Sequence, residues 1–324
     1  MPITSVTSDP EAATLTVIGD YPVPVRRLWD AYADPRQIER FWGPPTWPAT
    51  FTRHDMVTGG RSHYFMTGPD GETSGGYWTF VEVIEGERIV VVDGFAGADG
   101  TANDDMPSMQ MTMTFESTPA GSRFTCVTDF PSVEAMEQVL EMGMMEGMST
   151  APVAQIDDVV ADLASFAADV ATQAQRITPT QVRVSRVVRG TVDQVWRAHN
   201  DPDLVRRWML GPDGWTMPVC EHTDTVGGTY RWEWESTDGS ERFGFEGTIL
   251  EQQPPHRQVF DQRPIGAPDG SGLVIETTLR PVDGGTLLVQ VMTAPDEALI
   301  DEVLGSGMTD GMEVSFARLE SILA

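Results

Sequence analysis

The chain contains the same pattern twice. "VPVRRLWDAYADPRQIERFWGP" (23–44) is answered by "GTVDQVWRAHNDPDLVRRWMLGP" (190–212). Trp29 matches Trp196, 167 positions on (196 − 29), and Asp34-Pro35 matches Asp201-Pro202 at the same spacing. Gly59-Gly60 and Asp70-Gly71 match Gly227-Gly228 and Asp238-Gly239, and "VLEMGMMEGM" (139–148) matches "VLGSGMTDGM" (303–312). Anchors that recur in one order restrict the fold to two copies of a single unit. The repeat predicts domains at 1–175 and 176–324, with a linker at 175–181 around the helix-ending Pro179.

Each unit reads in the same order. A strand (13–21; 180–189) precedes a short helix whose apolar residues keep helical phase, at Val25, Leu28, Trp29 and Tyr32, and at Val192, Val195, Trp196 and His199. Asp-Pro then opens a second short helix, with Asp as N-cap and Pro at the first helical position. Gly-Pro stops it. Six strands punctuated by Gly, Pro and Asp-Gly turns follow. A long helix closes each unit, phased on Ile156, Val159, Val160, Leu163, Phe166, Ala167 and Val170 in the first and on Ile300, Leu304, Met308, Met312, Phe316, Leu319 and Leu323 in the second. The predicted class is α+β. Each unit is a curved antiparallel sheet of about seven strands with two short helices, and one long C-terminal helix over a cavity, where small-molecule sites are commonly built.

Charge narrows the function. Formal net charge is −28, and each of the 21 basic residues is arginine. The phosphate attraction that drives nucleic-acid binding is missing, and an anionic membrane surface would repel the chain. Without lysine there is no Schiff base and no phosphate-loop lysine. No apolar run reaches the roughly 20 residues of a membrane span, and the N-terminus has no signal-peptide pattern. Cys126 and Cys220 stand apart, which suits a reducing cytoplasm.

Together, the helix-opening segment, "HDMVTGGRSHYFMTGPDGE" and a closing "EGM" resemble the helix-grip superfamily that includes START and Bet v 1 domains. The branch named after the activator of Hsp90 ATPase is the closest. The second unit carries the same series in "DTVGGTYRWEWESTDGS" and "DGMEVSFARLE". The resemblance spans nearly the whole chain and implies a hydrophobic-ligand cavity in each unit. Tandem relatives include polyketide aromatase/cyclases and proteins of enediyne pathways, some serving self-protection. The co-chaperone role fits less well, because its partner-binding N-terminal region has no visible counterpart.

Strand alternation points to pocket-facing side chains. Tyr230, Trp232 and Trp234 alternate with Arg231, Glu233 and Glu235, so the aromatic face is inner; the matching first-unit residues are Ser62, Tyr64 and Met66. Matching Tyr77 to Phe245 turns both inward. Met109, Met111 and Met113 share one strand face, and Met144 and Met148, answered by Met308 and Met312, belong to the closing helix. Thioethers make an adaptable apolar wall. Cu(I) is the sharper alternative, but no Cys or His anchor accompanies them, so no metal or cofactor is expected. His54 and His222 each precede a Gly-Gly pair by the same spacing, without a repeated carboxylate partner, so no catalytic residue is assigned. Gly143 and Gly147 recur as Gly307 and Gly311. They admit close packing, a bend or portal, or, on the enediyne analogy, a hydrogen donor to a radical.

The expectation is a cytoplasmic protein that sequesters or carries a hydrophobic, aromatic small molecule in secondary metabolism or self-resistance. Its two domains should pack on each other, and a homodimer is admitted. A polyketide aromatase/cyclase and an Hsp90-activator-like co-chaperone are the alternatives. Catalysis would require inward polar groups with tuned pKa values.

Overall fold

A computed structural model describes residues 3–97, 100–141 and 171–324. The chain divides into two compact units, Met1–Ala168 and Asp169–Ala324.

In unit one, β1 (Ile3–Asp9) and β2 (Thr14–Tyr21) lead into α1 (Val25–Ala33) and α2 (Pro35–Ile38). Strands β3 (Ala49–His54), β4 (Arg61–Thr67), β5 (Thr73–Ile84), β6 (Arg88–Ala96), β7 (Met109–Thr118) and β8 (Gly121–Asp129) follow, then α3 (Val133–Glu141). The sheet runs β1-β2-β8-β7-β6-β5-β4-β3, antiparallel throughout.

Unit two has β9 (Gln173–Thr178), β10 (Gln181–Val188), α4 (Val192–Asn200) and α5 (Pro202–Trp208). Its meander is β11 (Trp215–His222), β12 (Thr229–Ser236), β13 (Arg242–Gln253), β14 (Arg257–Pro264), β15 (Leu273–Val282) and β16 (Gly285–Thr293). Helices α6 (Glu297–Gly305) and α7 (Met308–Leu323) close it. The strand order, β11-β12-β13-β14-β15-β16-β10-β9, repeats that of unit one. No helix among the described residues is long and apolar enough to cross a membrane.

The helix starts form as the sequence predicts. Asp34 accepts from the Arg36 amide at 2.9 Å and Asp201 from the Asp203 amide at 3.0 Å, each followed by Pro. Burial opposes the Asp34 charge, but the Arg36 guanidinium beside it holds its carboxyl below the ordinary range. Thr191 and Gln194 form a reciprocal cap at α4.

Three expectations change. Each sheet has eight strands, because polar segments at Ile3–Asp9 and Gln173–Thr178 add an edge strand to each. The second falls in the predicted linker and pairs with β10, so unit two begins before residue 176. The single closing helix of unit two is two helices. Its backbone turns at Gly307, whose φ of +74° is the left-handed conformation that favours glycine. The predicted closing helix of unit one, Ile156 to Val170, lies outside the described residues.

Candidate functional site

Alternation along β12 buries Tyr230, Trp232 and Trp234 on the inner face of unit two. Their cross-strand partners on β13 are Gly247, Phe245 and Phe243. Aromatic side chains therefore meet across two strands. Trp234 stacks on Phe243 with centroids 5.1 Å apart, and Phe245 meets Trp234 edge-on at 6.0 Å. Phe260 on β14 extends this surface, meeting Tyr230 edge-on at 5.7 Å. Met308, Met312 and Phe316 on α7 lie opposite, and Trp196 and His199 on α4 form one end. These elements enclose a cavity of about 640 Å³, within the range of small-molecule sites. Among the described residues, no Asp, Glu or Arg lines it.

Two of the aromatic heads are tied down. Trp234 Nε1 donates to the Met209 carbonyl at 2.7 Å, and the Tyr230 hydroxyl donates to the Asp261 carbonyl at 2.8 Å. Burial pushes the Tyr230 hydroxyl pKa up, so it stays protonated. Others have no hydrogen-bond partner among the described residues: Trp232 Nε1, both ring nitrogens of His222 and Asn200 Oδ1. His222 lies parallel to the Trp232 ring at 6.3 Å. Desolvation lowers its pKa despite Asp224, which favours the charged form. His199 is lowered to about 4 by burial, against the hydrogen bond it donates from Nδ1 to the Val195 carbonyl. The described lining residues are therefore uncharged at pH 7.

The inner face of unit one is built differently. Ser62, Tyr64 and Met66 alternate on β4 as expected, with Ser62 buried and Tyr64 and Met66 packed against the core. Ser62 Oγ lies 2.8 Å from His54 Nδ1, and His54 Nε2 lies 2.8 Å from the Tyr32 carbonyl. A carbonyl only accepts, so Nε2 carries the proton. The histidine joins β3 to β4 and α1, a structural role. His222, with Tyr230 in place of Ser62 as cross-strand partner, has no such tie. Met109, Met111 and Met113 all lie buried on the inner face of β7.

Beside them is Asp93, the cross-strand neighbour of Met109. Its carboxylate accepts from Trp78 Nε1 at 2.8 Å and from the Tyr64 hydroxyl at 3.3 Å. Desolvation nevertheless raises its pKa to about 7. The Tyr64 hydroxyl is raised well above its ordinary value by burial and by Asp93. Burial likewise pushes the Cys126 thiol up to about 12.

Tyr77 corrects a prediction: it does not share the inner face. Trp78 does, fully buried between Gly76 and Phe80 in the alternation, while Tyr77 covers Gly94 on the opposite face. The β4–β5 hairpin closes from Thr67 to Thr73, whereas its counterpart closes from Glu235 to Arg242 and is one residue longer. A one-residue slip moves every following side chain to the other face. Phe245 therefore corresponds to Gly76, and Tyr77 to Glu246.

Of the other predicted residues, Tyr230, Trp232, Trp234, Phe245, Met308 and Met312 line this cavity. Met144 and Met148 lie outside the described residues. Sequence reasoning missed Phe243 and Phe260, which share the aromatic surface, and Asp93. Two had a readable signal: Phe243 is two positions from Phe245, and Asp93 keeps the buried phase of Ile89 and Val91; Phe260 lacked one, because Val259 beside it is buried as well.

The family profile described as "Activator of Hsp90 ATPase homolog 1-like protein" matches residues 22–161 and again 189–324. No curated protein matches the chain. Among solved structures, a Mycobacterium smegmatis protein is 46% identical, with 49% of this chain and 96% of that one covered and a TM-score of 0.46. A protein from Arthrobacter aurescens is 39% identical, covering 49% of this chain and 92% of its own, with a TM-score of 0.47. An Aeromonas hydrophila protein titled "AHSA1-like" is 22% identical over 44% and 93%, with a TM-score of 0.39.

Proposed function

The chain belongs to the activator of Hsp90 ATPase homolog 1-like protein family, once in each half, and we propose that its second unit binds and holds a hydrophobic, aromatic small molecule. One observation carries this reading: a neutral cavity of about 640 Å³ walled by Tyr230, Trp232, Trp234, Phe243, Phe245 and Phe260. Such rings offer large apolar area and preferred stacking geometries. Sequestration or carriage requires nothing more. A setting in secondary metabolism or self-protection is supported by the tandem resemblance; the cavity speaks to the class of ligand.

The test is saturable binding of fluorene to the full chain, followed by tryptophan fluorescence. Ile275→Trp, which fills the cavity from β15, should weaken binding about tenfold or more, equivalent to at least about 1.4 kcal/mol. Absence of saturable binding, or binding indifferent to that substitution, overturns the reading.

Acid–base chemistry has one observation in its favour. Asp93 lies on the inner face of unit one with a pKa raised to about 7, near the operating pH of a general acid or base. If unit one turns over a polyketide-like substrate, Asp93→Asn should abolish that turnover; unchanged turnover removes this reading.

A further inference from the structure

A polar row crosses the sheet beneath the second unit's cavity. Gln258 on β14, Thr277 on β15 and Gln290 on β16 are direct cross-strand partners, and all three line the cavity. Unit one holds Ile89, Met113 and Cys126 in the answering row. The register is secure there, because the adjoining pair Asp93 and Met109 is answered by Gln262 and Leu273. Three apolar core positions have thus become two amides and a hydroxyl, set among Phe260, Ile275 and Met292.

Burying polar groups in such surroundings is costly unless they are hydrogen-bonded. Here the row is only partly satisfied. Gln290 Nε2 donates to Thr277 Oγ1 at 3.2 Å. The Thr277 hydroxyl accepts that bond, which leaves its own proton to be donated. Gln258 is 6% exposed, and its Nε2 has no partner among the described residues. Directly opposed side chains on neighbouring strands have Cβ atoms about 4.5–5.5 Å apart. Two buried donors, Gln258 N–H and Thr277 O–H, can therefore converge on one acceptor with two lone pairs.

We propose that this row is a two-donor anchor for a carbonyl oxygen, and that the ligand of the second unit is a neutral aromatic ketone. Its rings lie against Tyr230, Phe245 and Phe260, and its C=O accepts from Gln258 and Thr277. A charged carboxylate is disfavoured, because no arginine among the described residues lines the cavity and the chain carries a net charge of −28. The inference rests on the ligand-binding reading above and sharpens it to a chemical class.

Fluorene and fluorenone test it, since they share a ring skeleton and differ by one carbonyl. Equilibrium dialysis of the full chain should show fluorenone bound at least about tenfold more tightly, because a site built to hydrogen-bond an acceptor discriminates against the analogue lacking it. Gln258→Leu and Thr277→Val should each reduce that ratio by about threefold, and the double variant should bring it near unity. Both substitutions move toward the apolar row that unit one carries, so the fold is retained. Equal affinity for the two probes in the wild type overturns the anchor and leaves the ligand-binding reading standing. A ratio that survives the double variant also overturns it. Failure of both probes to bind counts against the ligand-binding reading itself.

Discussion

Where unit one carries Ser62, Tyr64 and Met66 along β4, unit two carries Tyr230, Trp232 and Trp234 along β12, and the neighbouring strands compensate in opposite directions. In unit one the bulk moves to β5, where Trp78 and Phe80 are fully buried. In unit two β13 answers with Gly247 opposite Tyr230, and the Asp261 backbone carbonyl, with the Tyr230 ring beyond it, occupies the space a Cβ would need. The polar groups redistribute as well. Unit one buries a carboxyl, Asp93, under two donors, whereas unit two has neutral amides, of which the Gln258 Nε2 bonds nothing among the described residues. One backbone thus supports two inner faces: one whose buried carboxyl is held by two donors, the other with amides facing a cavity.

The sharpest way to break this comparison is to truncate the two tryptophans. Trp78→Ala removes a fully buried ring and one of the two donors to Asp93. Chemical denaturation of the full chain should show the unit-one transition losing about 3–5 kcal/mol. Trp232→Ala removes a ring that already borders empty space and whose Nε1 has no partner, so unit two should lose distinctly less. Equal losses would mean that the aromatic wall of unit two packs as tightly as the core of unit one.

Opposite responses to pH come next. Asp93 titrates at about 7 in the folded chain against an ordinary 3.8. Its folded form holds a proton that the unfolded form has released. The associated stability is complete below about pH 4 and is lost as pH rises through 7, by about 4 kcal/mol in all. His199 is the reverse case, about 4 when folded against 6.5 when unfolded. Its contribution is present above pH 6.5 and lost as pH falls toward 4. Amide exchange followed separately in each unit should show unit one loosening from pH 5 to 8 and unit two loosening from pH 6.5 to 4. Asp93→Asn should flatten the first trend and leave the second untouched. The same sign of slope in both units would refute the contrast.

Much of the architecture was readable because it rests on local chemistry. The repeat, the Asp-Pro helix starts and the inner face of β12 follow from caps and alternation within one segment. What failed depended on partners the sequence does not show. Tyr77 was misplaced because its face is set by the length of the preceding hairpin, and a single added residue there reverses parity. Strands β1 and β9 lack apolar alternation; they form because a neighbour's edge supplies hydrogen bonds. The row of Gln258, Thr277 and Gln290 emerges only when three strands are registered, since each residue alone reads as an ordinary polar strand position.

The repeated glycines provide the smallest and most local test of how the two halves relate. Gly307 and Gly311 recur from Gly143 and Gly147, which suggests one shared purpose, yet in unit two they do different things. Gly307 caps α7 with φ +74°, so Gly307→Ala should cost about 1 kcal/mol through the left-handed backbone alone. Gly311 is helical, and a Cβ built there meets only Pro212 Cδ at 3.8 Å, an ordinary contact. Gly311→Ala should therefore stabilise unit two by up to about 1 kcal/mol, the helix-propensity difference between the two residues. It also places a methyl group at the cavity wall. Thermal unfolding of the two variants should shift in opposite directions. If Gly311→Ala destabilises instead, close approach is the reason for this glycine. If Gly307→Ala is neutral, the break between α6 and α7 does not depend on the left-handed residue, and the cavity's edge at Ser306 to Met308 is set by the packing of Met308 and Met312 instead.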